Sequence, residues 1–324
     1  MKKTLIIVFS ILLIFIIVSV IAYIFYKKAI NTENLSTKPN DIIEIESGTS
    51  TTEVAERLEE LGAVKDSRIF WLYAKLSNKK IQAGMHTLVY SLSVKELTEK
   101  LSSGEYLLQK VTVPEGKRIE QIAAMMEDKK IFNYYDLLKA AEGNEGHLFP
   151  DTYYIAKKTT ASDFVKMMLD NFTAKTSALN LSEQQLILAS IIEREAINDD
   201  ERPTIAGIFS NRLNIGMKLE ADPTVLYAND SQKIAGITPY DATQYTFWQP
   251  ISFSLYKTVS SPFNTYINSG LPPAPICSPG LESIKAAKDP ETNNYFFFLH
   301  GSDGGFYPAT NNSEHEINKD KYLF

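Results

Sequence analysis

From Thr4 to Tyr26 the chain reads TLIIVFSILLIFIIVSVIAYIFY, with no charge anywhere, and Lys2, Lys3, Lys27 and Lys28 close it at both ends. About 20 apolar residues in a helix cross the hydrocarbon core of a bilayer. A signal peptide has a shorter apolar core of ~7–15 residues and a small-residue cleavage site. Small residues are few here, and Tyr23, Phe25 and Tyr26 suit an interfacial aromatic belt. The sequence therefore predicts an uncleaved transmembrane helix within residues 1–28. Lysines at both ends leave its orientation undecided by charge.

Residues 29–40 are polar and predict a linker. Beyond it, IIEIESGTSTTEVAERLEELGAV predicts a strand and then a helix that starts at a Ser50/Glu53 capping box and stops at Gly62. DSRIFWLYAKLS predicts a second helix. AGMHTLVYSLSVKELTEKLSSGE predicts strand, turn and a helix capped by Ser93/Glu96 and stopped at Gly104. Residues 41–108 thus form a small α+β module. A weak repeat superposes IEIESGTSTTEVAERL on VTVPEGKRIEQIAAMM, with Gly48 over Gly116. It is either a shared supersecondary unit or a duplication.

Residues 109–324 predict a mixed α/β domain, with helices at 162–174, 182–197, 201–214 and 281–288 and a buried strand in YFFFLHG. The Pro-, Asn- and Tyr-rich stretch 219–280 reads as a set of functional loops. The net charge of −6 argues against a general nucleic-acid binder. His86, His147, His300 and His315 are scattered, so neither a metal site nor a cofactor is expected. The lone Cys277 reads as packing, or less simply as a nucleophile with His300 or His315.

The most informative soluble stretch is LILASIIEREA, residues 186–196. Residues three and four apart share a helix face. Glu195 then lies in line with Leu188, Ile191 and Ile192, and Glu193 with Leu186, Ala189 and Ile197. A carboxyl on such a surface keeps its proton to higher pH, as a general acid requires. Periodicity alone equally allows a solvated helix end, with Arg194 and Arg202 as ordinary partners. EGHLFPDTYY, residues 145–154, is either an aromatic sugar-stacking wall or a loop packed on the core.

LASIIEREA, IFSNRLNIGMKLEADPTVLYA, SPFNTYINSGLPPAPICSPGLESIKAA and EGHLFPDTY together resemble the YceG-like endolytic murein (peptidoglycan) transglycosylase family, over about residues 41–320. The resemblance implies a single-pass enzyme of the bacterial cytoplasmic membrane with its C-terminal domain outside. It implies a LysM-like module at 41–108 and a catalytic domain at 109–324. It further implies lytic cleavage of the MurNAc–GlcNAc β-1,4 bond, leaving a 1,6-anhydro-MurNAc end. The catalytic acid of the family motif falls on Glu195, with Glu193 as a supporting or pKa-tuning acid. NRL, DPT and FNTY nominate Asn211, Asp222, Thr224, Asn264, Thr265 and Tyr266 as substrate contacts. The implied partners are peptidoglycan strands, the membrane and the synthases of elongation or division. Ala196 stands where related enzymes commonly carry a hydroxyl, and Ala274 where the family usually has Gly. A non-catalytic peptidoglycan-binding scaffold, a hydrolase using Asp222 as base and a Cys277 transpeptidase are the competing readings.

Overall fold

The computed structural model of the chain describes residues 2–34, 38–104 and 107–323. Residues 35–37 of the expected linker, and 105–106 near the end of the expected module, lie outside them. The chain divides into two compact units, Met1–Val111 with Tyr154–Thr159, and Thr112–Tyr153 with Thr160–Phe324.

The first unit begins with helix α1 (Lys2–Asn31). Within Ile6–Asn31 an 18-residue window reaches a mean hydropathy of 3.1, and among the described residues α1 is the one helix long and apolar enough to cross a membrane. It continues three residues past the expected boundary at Lys28, and Ile30 in that extension is buried. Strand β1 (Asp41–Ile45), helices α2 (Thr51–Glu60) and α3 (Ser67–Leu76), strand β2 (Gly84–Leu88), helix α4 (Val94–Ser103) and strand β3 (Leu107–Thr112) follow. Both expected capping boxes are present: the Ser50 and Ser93 side chains accept from the N–H groups of Glu53 and Glu96, whose carboxylates return the bond. β1 and β2 pair antiparallel, with Ile43 opposite His86. Ile43, Val54, Leu58, Phe70, Leu88, Leu97 and Leu101 form the core of this unit.

In the second unit come α5 (Ile119–Asp128), α6 (Tyr134–Ala141), β4 (Thr152–Ala156, shared with the first unit), α7 (Ala161–Thr176), α8 (Glu183–Glu195) and α9 (Arg202–Asn214). Then come α10 (Asp222–Ile234), α11 (Pro239–Gln244), α12 (Phe253–Tyr256), α13 (Leu281–Lys288), β5 (Phe297–His300), β6 (Phe306–Ala309) and α14 (Asn312–Tyr322). The strand order of the main sheet is β1-β2-β3-β4, while β5 and β6 form a separate antiparallel pair. Gly48 and Gly116, aligned by the repeat, both have left-handed backbones, φ 93° and 72°. That conformation suits glycine, and it accounts for the aligned glycines without deciding between the two origins.

Two expectations are corrected, and a third reading that was open between two alternatives is narrowed. The stretch 219–280 is not only loops: Asp222-Pro223 opens the 13-residue helix α10, because proline is preorganised for a first helical turn. The strand in YFFFLHG is mostly half-buried, since only Leu299 of β5 is fully covered. In EGHLFPDTYY, Leu148, Phe149 and Tyr153 are buried, which removes them from any sugar-stacking wall.

The core of the second unit is built on α8. Leu186, Leu188, Ala189, Ile191 and Ile192 pack with Ile205, Phe209, Ile276 and Ile284. Burying side chains of this size stabilises by roughly 1.5–3 kcal/mol each. Buried Ser190 pins the loop after α12 to this helix, its hydroxyl accepting the Ile276 N–H at 3.0 Å. Cys277 is sealed beside it with Sγ 3.3 Å from the Ser190 carbonyl, and burial pushes its thiol up, away from a reactive thiolate.

Candidate active site

Helix α8 ends at Glu195, because Ala196 is extended (φ −71°, ψ 135°) while its N–H still closes on the Ile192 carbonyl at 2.9 Å. Ile197 therefore leaves the helical stripe and is exposed. The two carboxylates two residues apart meet different surroundings.

Glu193 is a structural acid here, its side chain 7% exposed. Its Oε2 accepts from the Gly280 N–H at 2.9 Å, the Ser283 hydroxyl at 2.7 Å and Arg202 Nη1 at 3.2 Å. A Cβ at Gly280 would meet the Glu115 carboxylate, which would have to swing aside. Arg202, itself buried, also holds Asp199 at 2.9 Å. Glu193 thus ties α8 to the start of α9 and to α13. Arg194 takes no carboxylate partner among the described residues and lies over the Trp248 ring, 4.4 Å from its centroid.

Glu195 instead lines a cleft of about 440 Å³. Burial pushes its carboxyl up to about 8, and the Asp222 carboxylate adds to the rise. Arg212, the Asp222 backbone N–H and Arg194 oppose it without cancelling it. The carboxylate neighbour that matters to Glu195 is therefore Asp222, the first residue of α10, and not Glu193.

The cleft walls come from distant segments. Asp222 accepts the Tyr266 hydroxyl at 2.5 Å, and both residues line the cleft. Burial and this bond to Asp222 push the Tyr266 phenol far up, so it stays a donor. Arg212 of α9 lies behind, donating to the Phe296 carbonyl at 2.6 Å and to the Leu219 carbonyl at 2.6 Å. Glu220, in the turn before α10, has a left-handed backbone at φ 46°. The opposite wall comes from Phe297 and His300 of β5 and from Asn312, His315 and Lys319 of α14. His300 Nε2 lies 3.0 Å from Glu201 Oε2. Burial raises the Glu201 carboxyl, but bonds from Asn198, His300 and two backbone N–H groups outweigh it and hold it below its usual range.

Of the six expected substrate contacts, Asp222 and Tyr266 line this cleft and four do not. Thr224, Asn264 and Thr265 are at most 1% exposed, so no glycan reaches them. Thr224 and Thr265 share a hydroxyl–hydroxyl bond of 2.8 Å, and Thr265 also accepts the Ala221 N–H. Asn264 donates to the Tyr256 and Val259 carbonyls at 2.8 Å each. Asn211 donates to the Asn293 and Tyr295 carbonyls. These four build the turns that set Asp222, Tyr266 and β5. From NRL the cleft takes Arg212, one position beyond the expected Asn211. Nothing in the local pattern pointed to β5 or α14, although Asn312, His315 and Lys319 fall on one face by helical spacing.

A second buried acid lies elsewhere in this unit. Burial pushes the Glu145 carboxyl up to about 8, with the Glu120 charge adding to the rise. Glu145 lines another recess, of about 590 Å³, with Tyr135, Tyr227 and Ala274. Its Oε1 is sealed from solvent and lacks a hydrogen-bond partner.

With this geometry in hand, the comparisons with known proteins are specific. The sequence profile of the YceG-like family matches residues 43–321. An endolytic murein transglycosylase of Bacillus subtilis (strain 168) is 29% identical over 93% of this chain and 90% of its own length. An endolytic murein transglycosylase of Streptococcus pneumoniae (strain D39) is 29% identical over 85% of this chain, which spans 57% of that relative. The crystal structure of a YceG-like protein from Listeria monocytogenes superposes with a TM-score of 0.55 at 27% identity, covering 87% of this chain and 99% of that one.

Proposed function

The chain belongs to the YceG-like family, and from that premise we propose that it is a lytic transglycosylase, a lyase that cuts peptidoglycan strands internally. In this reading α1 anchors it in the bacterial cytoplasmic membrane and the soluble part faces the cell wall. The strand–helix–helix–strand of the first unit would be a LysM-like peptidoglycan holder. Support for the activity comes from the relatives named endolytic murein transglycosylases. The observation that carries the chemistry is Glu195: a carboxyl raised to about 8, at the end of a rigid core helix, facing a cleft.

Such an acid is protonated at neutral pH and suits general-acid catalysis. Glu195 gives its proton to the oxygen of the MurNAc–GlcNAc β-1,4 bond. Positive charge develops at the muramyl C1, where the 2-acetamido group stabilises it. The ionised Glu195 then takes the proton of the muramyl 6-hydroxyl as that oxygen closes on C1, leaving a 1,6-anhydro end. Burial, helped by the Asp222 charge, keeps Glu195 protonated in the resting enzyme, and Asp222 Oδ1 is engaged by Tyr266. Asp222 and Tyr266 are the proposed substrate contacts. Glu193 supports Glu195 by fixing α8 rather than by tuning its charge.

Hydrolysis is the second reading, because Asp222 puts a second carboxylate beside Glu195. The product decides. Mass spectrometry of muropeptides released from purified peptidoglycan is expected to show anhydro ends with the parent chain and none with Glu195→Gln. Reducing ends would establish the hydrolase, and cleavage by Glu195→Gln would remove Glu195 from the mechanism.

A further inference from the structure

His315, the fourth residue of α14, lines the same cleft as Glu195. Its ring stacks on Phe297, with centroids 5.4 Å apart and planes at 26°. Arg212 lies over that same Phe297 ring, 5.2 Å from its centroid. The imidazole is therefore held in place by β5 while its polar atoms remain unused. Nδ1 is sealed from solvent and has no hydrogen-bond partner, and no protein group among the described residues bonds Nε2. Nε2 is the nitrogen left open to the cleft.

His300 on the same wall makes the contrast, since its Nε2 is spent on Glu201. His315 thus brings to the cleft of Glu195 a ring fixed by stacking, with one open nitrogen that no described protein group engages. We propose that His315 is a substrate-contacting residue, its Nε2 hydrogen-bonding a hydroxyl or acetamido group of a sugar ring bound in the cleft. The proposal rests on the glycan-cleaving reading above. Burial, Lys319 and Arg212 hold the imidazole below its ordinary range, against Glu316, so it is neutral at pH 7. With Nδ1 sealed, a neutral ring offers one bond through Nε2, as donor or acceptor according to tautomer, and a hydroxyl or an acetamido group can answer either.

Two substitutions separate contact from scaffolding. His315→Phe keeps a flat ring against Phe297 and removes the hydrogen bond. His315→Gln keeps a polar group near the Nε2 position. Binding of soluble uncrosslinked glycan strands is measured in the Glu195→Gln background, and turnover with Glu195 intact. His315→Phe is expected to weaken binding and lower kcat/KM by about 3- to 10-fold, as one neutral hydrogen bond would. His315→Gln should retain more of both. Since α14 has no fully buried residue, melting should change little in either variant. Parental affinity and turnover in His315→Phe, or equal losses in both variants, would overturn the proposal. Cleavage by Glu195→Gln alone would instead overturn the functional reading on which it rests.

Discussion

Glu193 and Glu195 are two residues apart on one helix, yet they do opposite work. Glu193 is surrounded by donors: a backbone N–H, a hydroxyl and a guanidinium. Glu195 has burial and the Asp222 carboxylate pressing its proton on, with Arg212 and Arg194 only partly offsetting them. A step of two residues turns a helix by ~200°, so one carboxylate meets α9 and α13 while the other meets the cleft. The same side chain becomes a clamp or an acid according to what the tertiary fold brings opposite it.

The largest expected break in this comparison is Glu195→Gln. Removing a general acid costs about 10²- to 10⁴-fold or more in glycan cleavage rate, read from the initial rate of anhydro-muropeptide release. Glu193→Ala should reverse the pattern, because it removes the oxygen that accepts from Gly280, Ser283 and Arg202 and leaves Arg202 with Asp199 alone. A loss of about 1.5–3 kcal/mol in denaturant unfolding is expected, as for hydrogen bonds to a charged group, with less effect on the rate per folded molecule. Comparable activity losses in the two variants at unchanged stability would erase the distinction.

The pH dependence sharpens it further. Glu195 works protonated, so kcat/KM should fall as pH rises through about 8. Asp222→Asn removes the neighbouring charge and should draw that limb to lower pH. Stability carries the same signature. An acid whose folded-state value lies above its unfolded one binds its proton more tightly when folded, so stability falls as pH rises from ordinary carboxylate values towards 8. Unfolding midpoints of Glu195→Gln at pH 5 and pH 8 should show a shallower fall than those of the parent, with Glu145 still supplying part of the slope. The smallest effect is expected from Tyr266→Phe, which removes one hydrogen bond to Asp222. A rate loss of only a few-fold is anticipated, and no loss at all would make Tyr266 a bystander.

Local chemistry made much of this legible. The apolar run of α1, the Ser50 and Ser93 capping boxes and the helix Leu281–Lys288 are written in adjacent residues, where propensity and capping act over a few positions. Helix α10 is hidden in the sequence because Pro223 carries a loop signal and a helix-opening signal at once. In the site, motif and stripe both led to Glu195, but side-chain polarity alone could not separate a residue that faces a ligand from one that ties a turn. Asn264 and Thr265 look as suited to sugar binding as Tyr266, yet they are spent on carbonyls, an N–H and a neighbouring hydroxyl.

A membrane-length apolar helix, the capped helices of both units, a core helix ending in two carboxylates and the family of the motifs can all be read along the chain. Folding adds which carboxylate is clamped by Arg202, the Asp222 charge beside Glu195, and the contribution of β5 and α14, with His315, to the cleft. Capping and helical periodicity act within a few residues of chain, whereas desolvation and charge proximity depend on segments as far apart as Glu195 and Lys319 meeting around one cleft.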